Sequence, residues 1–576
     1  MKAVTERLWV PRHNSPDYSI ASEYAEQLGI SSLVARLLIG RQFSLESARQ
    51  FLAMRLSDLP DPFLLPDMDV AVTRLYAAIE NREKIAIHGD YDVDGISGTV
   101  LLTAVLGVFG ADVEYHIPLR LRDGYGLSAE AIKAAAARGI TVIVSVDCGV
   151  SAHEEANLAR QHGIDLVVTD HHQPPATLPL AVAVINPQRR DSDFPFRPLA
   201  GVGVAFFLLI ALRKTLREAG WFKTHPEPDL RDYLDLVALG TIADLVPLQG
   251  VNRTITKHGL RLIENGPRIG LRALKQVASV KNVSSGVVGF QLAPRLNAAG
   301  RMEDAALGVE LLLEEDMVRA LNTARYLDQC NRERQELEKQ TLREAETAVA
   351  KLSDQHSHTI VLGGEGWHPG VIGIVASRLV ERYHRPTVLV ALDGDGGKGS
   401  ARSIRGYHLY QGLQACAGHL MAFGGHEMAA GLSLNRQELP AFASALEAHA
   451  RGELGDDDLI PKLRHDGTLL LEEIDLDALR QMESMAPFGM ENPEPLMVVE
   501  SVRAMRVQEL KGGHLRFTVC QGAFSHPAIA FGMQGRKEEF RGEVDLLVAP
   551  QINYYQGRET VQLRVKDVKA SAKSEM

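Results

Sequence analysis

At 576 residues the chain is too long for one hydrophobic core and implies three or more domains. Its 45% hydrophobic and 23% charged residues are ordinary for a soluble globular protein, and a net charge of -11 argues against a uniformly basic nucleic-acid coat. A local basic channel beside an acidic site remains compatible with that sum. Cys148, Cys330, Cys416 and Cys520 are far apart and form no Cys-x-x-Cys pair. Neither a disulfide framework nor a zinc site is expected, and a reducing cytoplasm suits them. Charges interrupt the apolar runs near the N-terminus, so no signal peptide is expected. The most apolar helix, residues 202–212, is too short to span a bilayer.

Residues 1–60 read as an N-terminal helical lead-in ending near Leu59-Pro60-Asp61-Pro62. From 61 to 310 apolar strands alternate with helices. Candidate strands are 84–88, 113–117, 141–146, 165–169 and 181–185, with helices at 96–109, 128–138 and 152–161. This βαβ alternation predicts a largely parallel, doubly wound sheet. Within 311–355, a charged stretch from 317 to 352 holds no Gly or Pro and is polar nearly all round, which suits a helix bridging two domains. A second α/β block fills 356–455, with strands at 359–362 and 387–391. From 456 to 570 the pattern turns to period-two alternation, as at 496–506, 514–520, 528–532, 545–549 and 560–565. That predicts a small all-β barrel or sandwich, with 571–576 as a tail.

The segment His88-Gly89-Asp90-Tyr91-Asp92-Val93-Asp94 sets one imidazole and three carboxylates where an apolar strand meets an apolar helix. Open α/β sheets build their sites at such strand ends. Carboxylates this crowded repel one another unless a cation neutralises them, and a divalent metal held by oxygen and imidazole is the simplest. Asp147 follows an apolar strand, Asp170-His171-His172 follows another, and Asp244 follows an apolar helix. Taken singly, such an Asp is ordinarily a cap or turn residue. Parallel strands bring the first three clusters to one edge, and the four together point to metal-assisted phosphoester hydrolysis. Manganese or magnesium fits mixed oxygen and nitrogen ligands without thiolates. A Rossmann dinucleotide site is excluded, because the first strand–helix turn offers acids where pyrophosphate needs glycine N–H groups.

These motifs resemble those of the RecJ-type single-strand-specific exonucleases of the DHH phosphoesterase superfamily. Asp170-His171-His172 matches the motif that names the superfamily, and the segment from His88 to Gly95 its first motif; Asp147 and Asp244 fall at the second and fourth. The likeness runs on through Leu292-Ala293-Pro294-Arg295-Leu296-Asn297-Ala298-Ala299-Gly300-Arg301-Met302, Gly366-Trp367-His368-Pro369-Gly370, Ser400-Ala401-Arg402-Ser403 and Gly424-Gly425-His426-Glu427. It covers nearly the whole chain. It implies DHH and DHHA α/β domains joined by a long helix, then an oligonucleotide-binding (OB) fold.

The resemblance also implies two divalent ions, Mn2+ or Mg2+, bridged by Asp147. His88 and Asp92 would hold one ion, and Asp94, His171 and Asp244 the other. Asp90 would orient its neighbours, and His172 would contact phosphate or support the ligands. Arg120, Ser400 and Arg402 would form a pocket for the 5′ end of the strand; Asn297 and Arg301 would line the approach to the metals. Gly424, Gly425 and His426 would face the substrate, glycines admitting an anion to backbone N–H groups. In the β domain, Phe517, Tyr554, Tyr555 and Arg558 are candidates for base contacts, with Phe517 equally a barrel-core residue and Tyr554 to Gly557 a hairpin turn.

The implied activity is 5′ to 3′ hydrolysis of single-stranded DNA in recombination, base excision and mismatch repair. The implied partners are a single-stranded-DNA-binding protein and a helicase, around a cytoplasmic monomer without membrane attachment. Cleavage of short oligonucleotides or cyclic dinucleotides is the alternative within the superfamily; the β domain and linking helix favour a polymeric substrate. A pyrophosphatase would need no nucleic-acid domain, and a non-catalytic scaffold would have lost metal ligands that this chain retains.

Overall fold

The computed structural model describes residues 7–13, 17–119, 126–302, 304–352 and 357–571. They fall into two units.

The larger unit comprises residues 11–300, 304–325 and 464–576. It opens with helices α1 (Ala21–Leu28), α2 (Ser32–Gly40) and α3 (Leu45–Ala53). Ser31 and Ser44 cap α2 and α3 by accepting from the amides of Val34 and Ser47. Leu33, Val34, Leu37 and Leu38 bury against Leu469, Leu479, Met482, Val499 and Phe517 from the far end of the chain. The segment read as a lead-in is therefore part of the barrel's hydrophobic core.

After α4 (Met68–Glu80) come strands β1 (Lys84–Gly89), β2 (Asp112–His116), β3 (Val142–Val146), β4 (Asp165–Thr169) and β5 (Ala183–Ile185). All pair in parallel, in the order β2-β1-β3-β4-β5. β3 is buried at all five positions, as a strand covered on both faces must be. The strand order reverses between β1 and β3, which makes that junction the topological switch point where doubly wound sheets place their ligands.

Helices α5 (Val93–Val108), α6 (Ala129–Ala137) and α7 (His153–Gln161) cross between strands. α5 begins three residues before the position expected from apolar content. Asp92 caps it by accepting from the amides of Asp94 (2.9 Å) and Gly95 (3.1 Å). Helices α8 (Gly201–Glu218), α9 (Leu234–Ala243) and α10 (Gly250–Asn265) follow, α9 and residues 201–212 of α8 apolar on nearly every side and buried accordingly. Arg253 of α10 is buried at the seam with the barrel side. Its guanidinium donates to carbonyls of Phe51, Ser484 and Ala486 and lies 3.5 Å over the Phe51 ring. A π-helical turn (Val288–Leu292) runs into α11 (Ala293–Met302).

At the end of this unit, β11 (Met497–Leu510), β12 (His514–Gln521), β13 (Phe524–Ala530), β14 (Glu543–Tyr555) and β15 (Arg558–Ala570) form a closed barrel in the order β11-β12-β13-β15-β14. Closure comes from the parallel pairing of Ala528–Ala530 with Leu563–Val565. Gln556 and Gly557, both at positive φ, turn β14 into β15 as the hairpin reading expects. Phe517 is 3% exposed, its ring 4.9 Å from that of Phe540. It is a core residue and is withdrawn from the base-contacting candidates; Tyr554, 57% exposed, stays among them.

The second unit comprises residues 1–10, 301–303 and 326–463. Its sheet contains β6 (Ile360–Glu365), β7 (Thr387–Asp393), β8 (Gly396–Arg402), β9 (Ala422–Gly425) and β10 (Ala429–Asn435), in the order β9-β10-β8-β7-β6. Only β6 and β7 are parallel. α12 (Met317–Val349) is the charged stretch, 33 residues and about 50 Å long. Its C-terminal Ala345 and Val349 share a core with α13 (Pro369–Tyr383) and β6. No helix among the described residues is long and apolar enough to cross a membrane.

Candidate metal centre

Four acidic segments meet at the switch point. Asp90 and Asp92 follow β1, Asp147 follows β3, and Asp170, His171 and His172 follow β4. Asp94 lies in the first turn of α5, and Asp244 caps the end of α9. Three sets bring ligand atoms within 4.8 Å of one another: Asp94 with His171 and Asp244, Asp147 with His171 and His172, and Asp90 with Asp92 and Asp147. Asp147 is shared by two of them. The third contains Asp90, which the resemblance gave only an orienting role.

The backbone is built to hold this cluster. Asp147 has φ +63°, a left-handed conformation that costs free energy in a non-glycine residue and that clusters at functional sites. Asp94 accepts from the amides of Gly201 (2.6 Å) and Val202 (2.9 Å), so the N-terminus of α8 faces its carboxylate. Two glycines allow the approach. A Cβ on Gly201 would lie 2.7 Å from the Cβ of Asp147, and one on Gly240 would lie 2.6 Å from Asp94 Oδ1.

Crowding shows in the proton affinities. Burial, then neighbouring carboxylates, push Asp94 up to about 7 and Asp244 up to about 9. Asp147 is raised well above the carboxylate range for the same reasons. Burial lowers His171 to about 4 and His88 to about 3, so both rings are neutral and able to ligate. His171 Nε2 lies 3.1 Å from Asp147 Oδ1 and 3.5 Å from Asp244 Oδ2. His88 is 2% exposed, and neither of its ring nitrogens makes a hydrogen bond among the described residues. His88 enters none of the three ligand sets; among the described residues the repelling carboxylates and the neutral His171 are the donors that a divalent cation satisfies.

Asp170 has a different task. Its Oδ1 accepts from the amides of His171 (2.7 Å) and His172 (3.0 Å) and pairs with His172 Nδ1 at 2.7 Å; Oδ2 accepts from Val150. Although burial opposes it, the Asp170 contact raises His172 to about 9, leaving an imidazolium beside the cluster at neutral pH. Asn186, which sequence reasoning missed, donates to the His172 carbonyl at 2.9 Å. His116 was missed as well. It ends β2 in register with His88, ring centroids 5.1 Å apart, and a histidine at a parallel strand's C-terminal end was the available signal.

The remaining predicted residues fall as follows. Asn297 accepts from the Val93 amide at 3.1 Å, tying α11 to the start of α5. Arg301 donates to the Gly370 carbonyl at 3.0 Å, at the first turn of α13. Ser400 and Arg402 lie two apart on β8 and share a face, with Arg402 Nη1 3.2 Å from Ser400 Oγ. A Cβ on Gly373 of α13 would meet both side chains. Gly424 pairs with Gly431, and Gly431 with Ser400, so β10 lies between the Gly424-Gly425-His426 segment and Ser400 on one sheet. Arg120 lies outside the described residues.

A doubly wound sheet with carboxylates and neutral imidazoles at its switch point, a mixed second sheet and an OB barrel define a DHH-type phosphoesterase. The models of the DHH family N-terminal domain, the DHHA1 domain and the RecJ OB domain match residues 84–241, 349–452 and 465–567. The single-stranded-DNA-specific exonuclease RecJ of Bacillus subtilis is 38% identical, covering 96% of this chain and 70% of its own. That of Escherichia coli is 39% identical, covering 88% and 90%. The crystal structure of RecJ in complex with Mn2+ from Thermus thermophilus superposes with a TM-score of 0.83 at 29% identity, covering 98% of this chain and 80% of that one. Its complex with Mg2+ superposes at 0.77. The chain belongs to the RecJ family.

Proposed function

We propose that this protein is a metal-dependent exonuclease that hydrolyses single-stranded DNA from the 5′ end. The carrying observation is the convergence of Asp90, Asp92, Asp94, Asp147, His171 and Asp244 at the switch point of the sheet. Asp94, His171 and Asp244 would hold one divalent ion; Asp90 and Asp92 would hold the other, with Asp147 shared and His88 as the further ligand that the family resemblance implies. Manganese or magnesium bound there supplies charge neutralisation and an activated water for in-line displacement at phosphorus. The chain's own part is positioning: α8 fixes Asp94, and the strained turn after β3 aims Asp147. Asp170, paired with His172 Nδ1 at 2.7 Å, orients that imidazole, which would contact the phosphate or support the ligands.

On β8, Ser400 and Arg402 suit a terminal phosphate, Arg402 as a fixed fork of donors; Gly424, Gly425 and His426, beyond β10 on the same sheet, would also face the substrate. The barrel, with Tyr554 exposed at its hairpin, favours a polymeric strand over a dinucleotide. The same reading makes the protein a cytoplasmic monomer of recombination and repair. A helicase would supply unpaired strands, and a single-stranded-DNA-binding protein would present them. The test is Mn2+-dependent release of mononucleotides from a single strand but not from a blunt duplex, absent in Asp147→Ala, which should still bind the strand. Turnover in that variant would remove Asp147 from the site.

A further inference from the structure

Three exposed apolar side chains lie on segments that meet at the C-terminal end of α9, the helix that Asp244 caps. Leu245 directly follows Asp244, has φ +59° and is 65% exposed. Phe290 is 87% exposed and rides on the π-helical turn, whose Gly289 packs toward Ile242 of α9. Met490, 49% exposed, belongs to the segment leading to the barrel. There the Met490 carbonyl accepts from the Leu248 amide at 2.8 Å, and the Phe488 carbonyl accepts from Ser285. A leucine held in left-handed backbone and a phenylalanine presented to water on a π turn both oppose folding preferences. Strained backbone and π turns of this kind gather where a ligand is engaged.

We infer that Leu245 and Phe290 form a stacking ridge for the nucleobases beside the scissile phosphodiester, making Phe290 a specificity-determining residue. The inference rests on the single-strand reading above and adds to it the means by which single strands are distinguished. Phosphates alone would be drawn to the cations of any site, whereas a flat apolar ring beside a phosphodiester-cleaving centre matches the other half of a nucleotide. Bases within a duplex are stacked on each other and offer it no free face.

The test uses the full chain with Mn2+ and two 5′-phosphorylated strands of equal length, one with bases throughout and one with abasic residues in its 5′ half. Phe290→Ala should raise KM on the base-bearing strand about tenfold and leave KM on the abasic strand unchanged, with Phe290→Trp restoring the first. A 2-aminopurine in the 5′ half should be quenched on binding the unmodified protein and not on binding Phe290→Ala. Equal changes on both strands, or none on either, would overturn the ridge. If the unmodified protein cuts the abasic strand and not the base-bearing one, the ridge is likewise wrong. If it cuts neither, the single-strand reading falls and the ridge with it.

Discussion

The amide of Gly201 donates to Asp94 Oδ2 at 2.6 Å, while the same residue's missing side chain leaves room for Asp147. One position thus sets the spacing between two carboxylates of the metal centre. Gly201→Ala would thrust a methyl group against Asp147 Cβ, Cα and Oδ1, at 2.7, 2.8 and 2.9 Å. A displacement of that order at a reacting centre costs about 100-fold in rate. Overpacking itself costs about 1–3 kcal/mol of stability. Cleavage should therefore collapse in a variant that still melts cooperatively, as followed by single-strand turnover and circular dichroism. An unchanged rate would mean that this spacing is irrelevant to the chemistry.

Metal removal should make stability depend on pH in a definite direction. Burial, then mutual repulsion, hold Asp94 at about 7 and Asp244 at about 9, above the 3.8 of an ordinary aspartate. Above that ordinary value the unfolded chain has released protons that the folded one keeps, so the metal-free protein loses stability as pH rises toward 9. Binding requires deprotonated carboxylates, so stabilisation by Mn2+ grows with pH; at 100 times its Kd it is about 2.7 kcal/mol. Asp147→Asn removes a buried acid whose ionisation burial and neighbouring carboxylates oppose, and should melt higher than the natural chain in EDTA as pH rises, yet gain less from Mn2+. Thermal melts across pH, with and without metal, decide this; a metal-free protein that grows more stable toward pH 9 would contradict it.

The first sheet was legible because its strands are short apolar runs ending in acids or histidines, and the parallel order then gathers those ends. What the residues alone could not convey were the jobs within the cluster. Asp170 stands in the superfamily's own motif, but its oxygens are taken by three backbone amides and His172, a fact that exists only in the folded turn. Asp90 joins the ligand sets because the loop after β1 curls, which periodicity does not encode. The N-terminal helices gave no sign of packing on residues more than 400 positions away. Barrel closure through the parallel β13–β15 pairing is equally non-local, and Phe517 reads the same on paper whether it faces bases or core.

On the second sheet, Arg402→Ala should weaken engagement of a terminal phosphate. Loss of a charge-assisted hydrogen bond is worth about 1.5–3 kcal/mol, so kcat/KM on a 5′-phosphorylated strand should fall about 10- to 100-fold. The preference for a 5′ phosphate over a 5′ hydroxyl should shrink with it. Steady-state kinetics on the two strands measure both, and a variant with its preference intact would place the phosphate elsewhere.

Asp466 ties the N-terminal segment to the barrel side. Its carboxylate accepts from Arg12 (3.1 Å), Arg41 (2.9 Å) and the Leu496 amide (3.0 Å). Burial opposes its ionisation, but Arg41 and Arg12 hold it below the ordinary 3.8. Because the folded value is depressed, the stabilisation is complete above 3.8 and is lost as pH falls through the folded value. Asp466→Asn should cost about 3 kcal/mol at pH 7, leaving two partly buried cations without their anion. Urea unfolding at pH 7 and pH 3 should give a gap that narrows at the lower pH. An equal gap at both would exclude the charge as its source.

The proposed reaction is a metal-dependent attack that proceeds from the 5′ end of an unpaired strand. The most direct measurement is Mn2+-supplemented digestion of one oligodeoxynucleotide blocked at its 5′ end, its 3′ end or neither, with Asp147→Ala alongside. Protection by the 5′ block alone, with no cleavage by the variant, is the predicted result. Protection by the 3′ block, or cleavage confined to strands of two to five nucleotides, would contradict it.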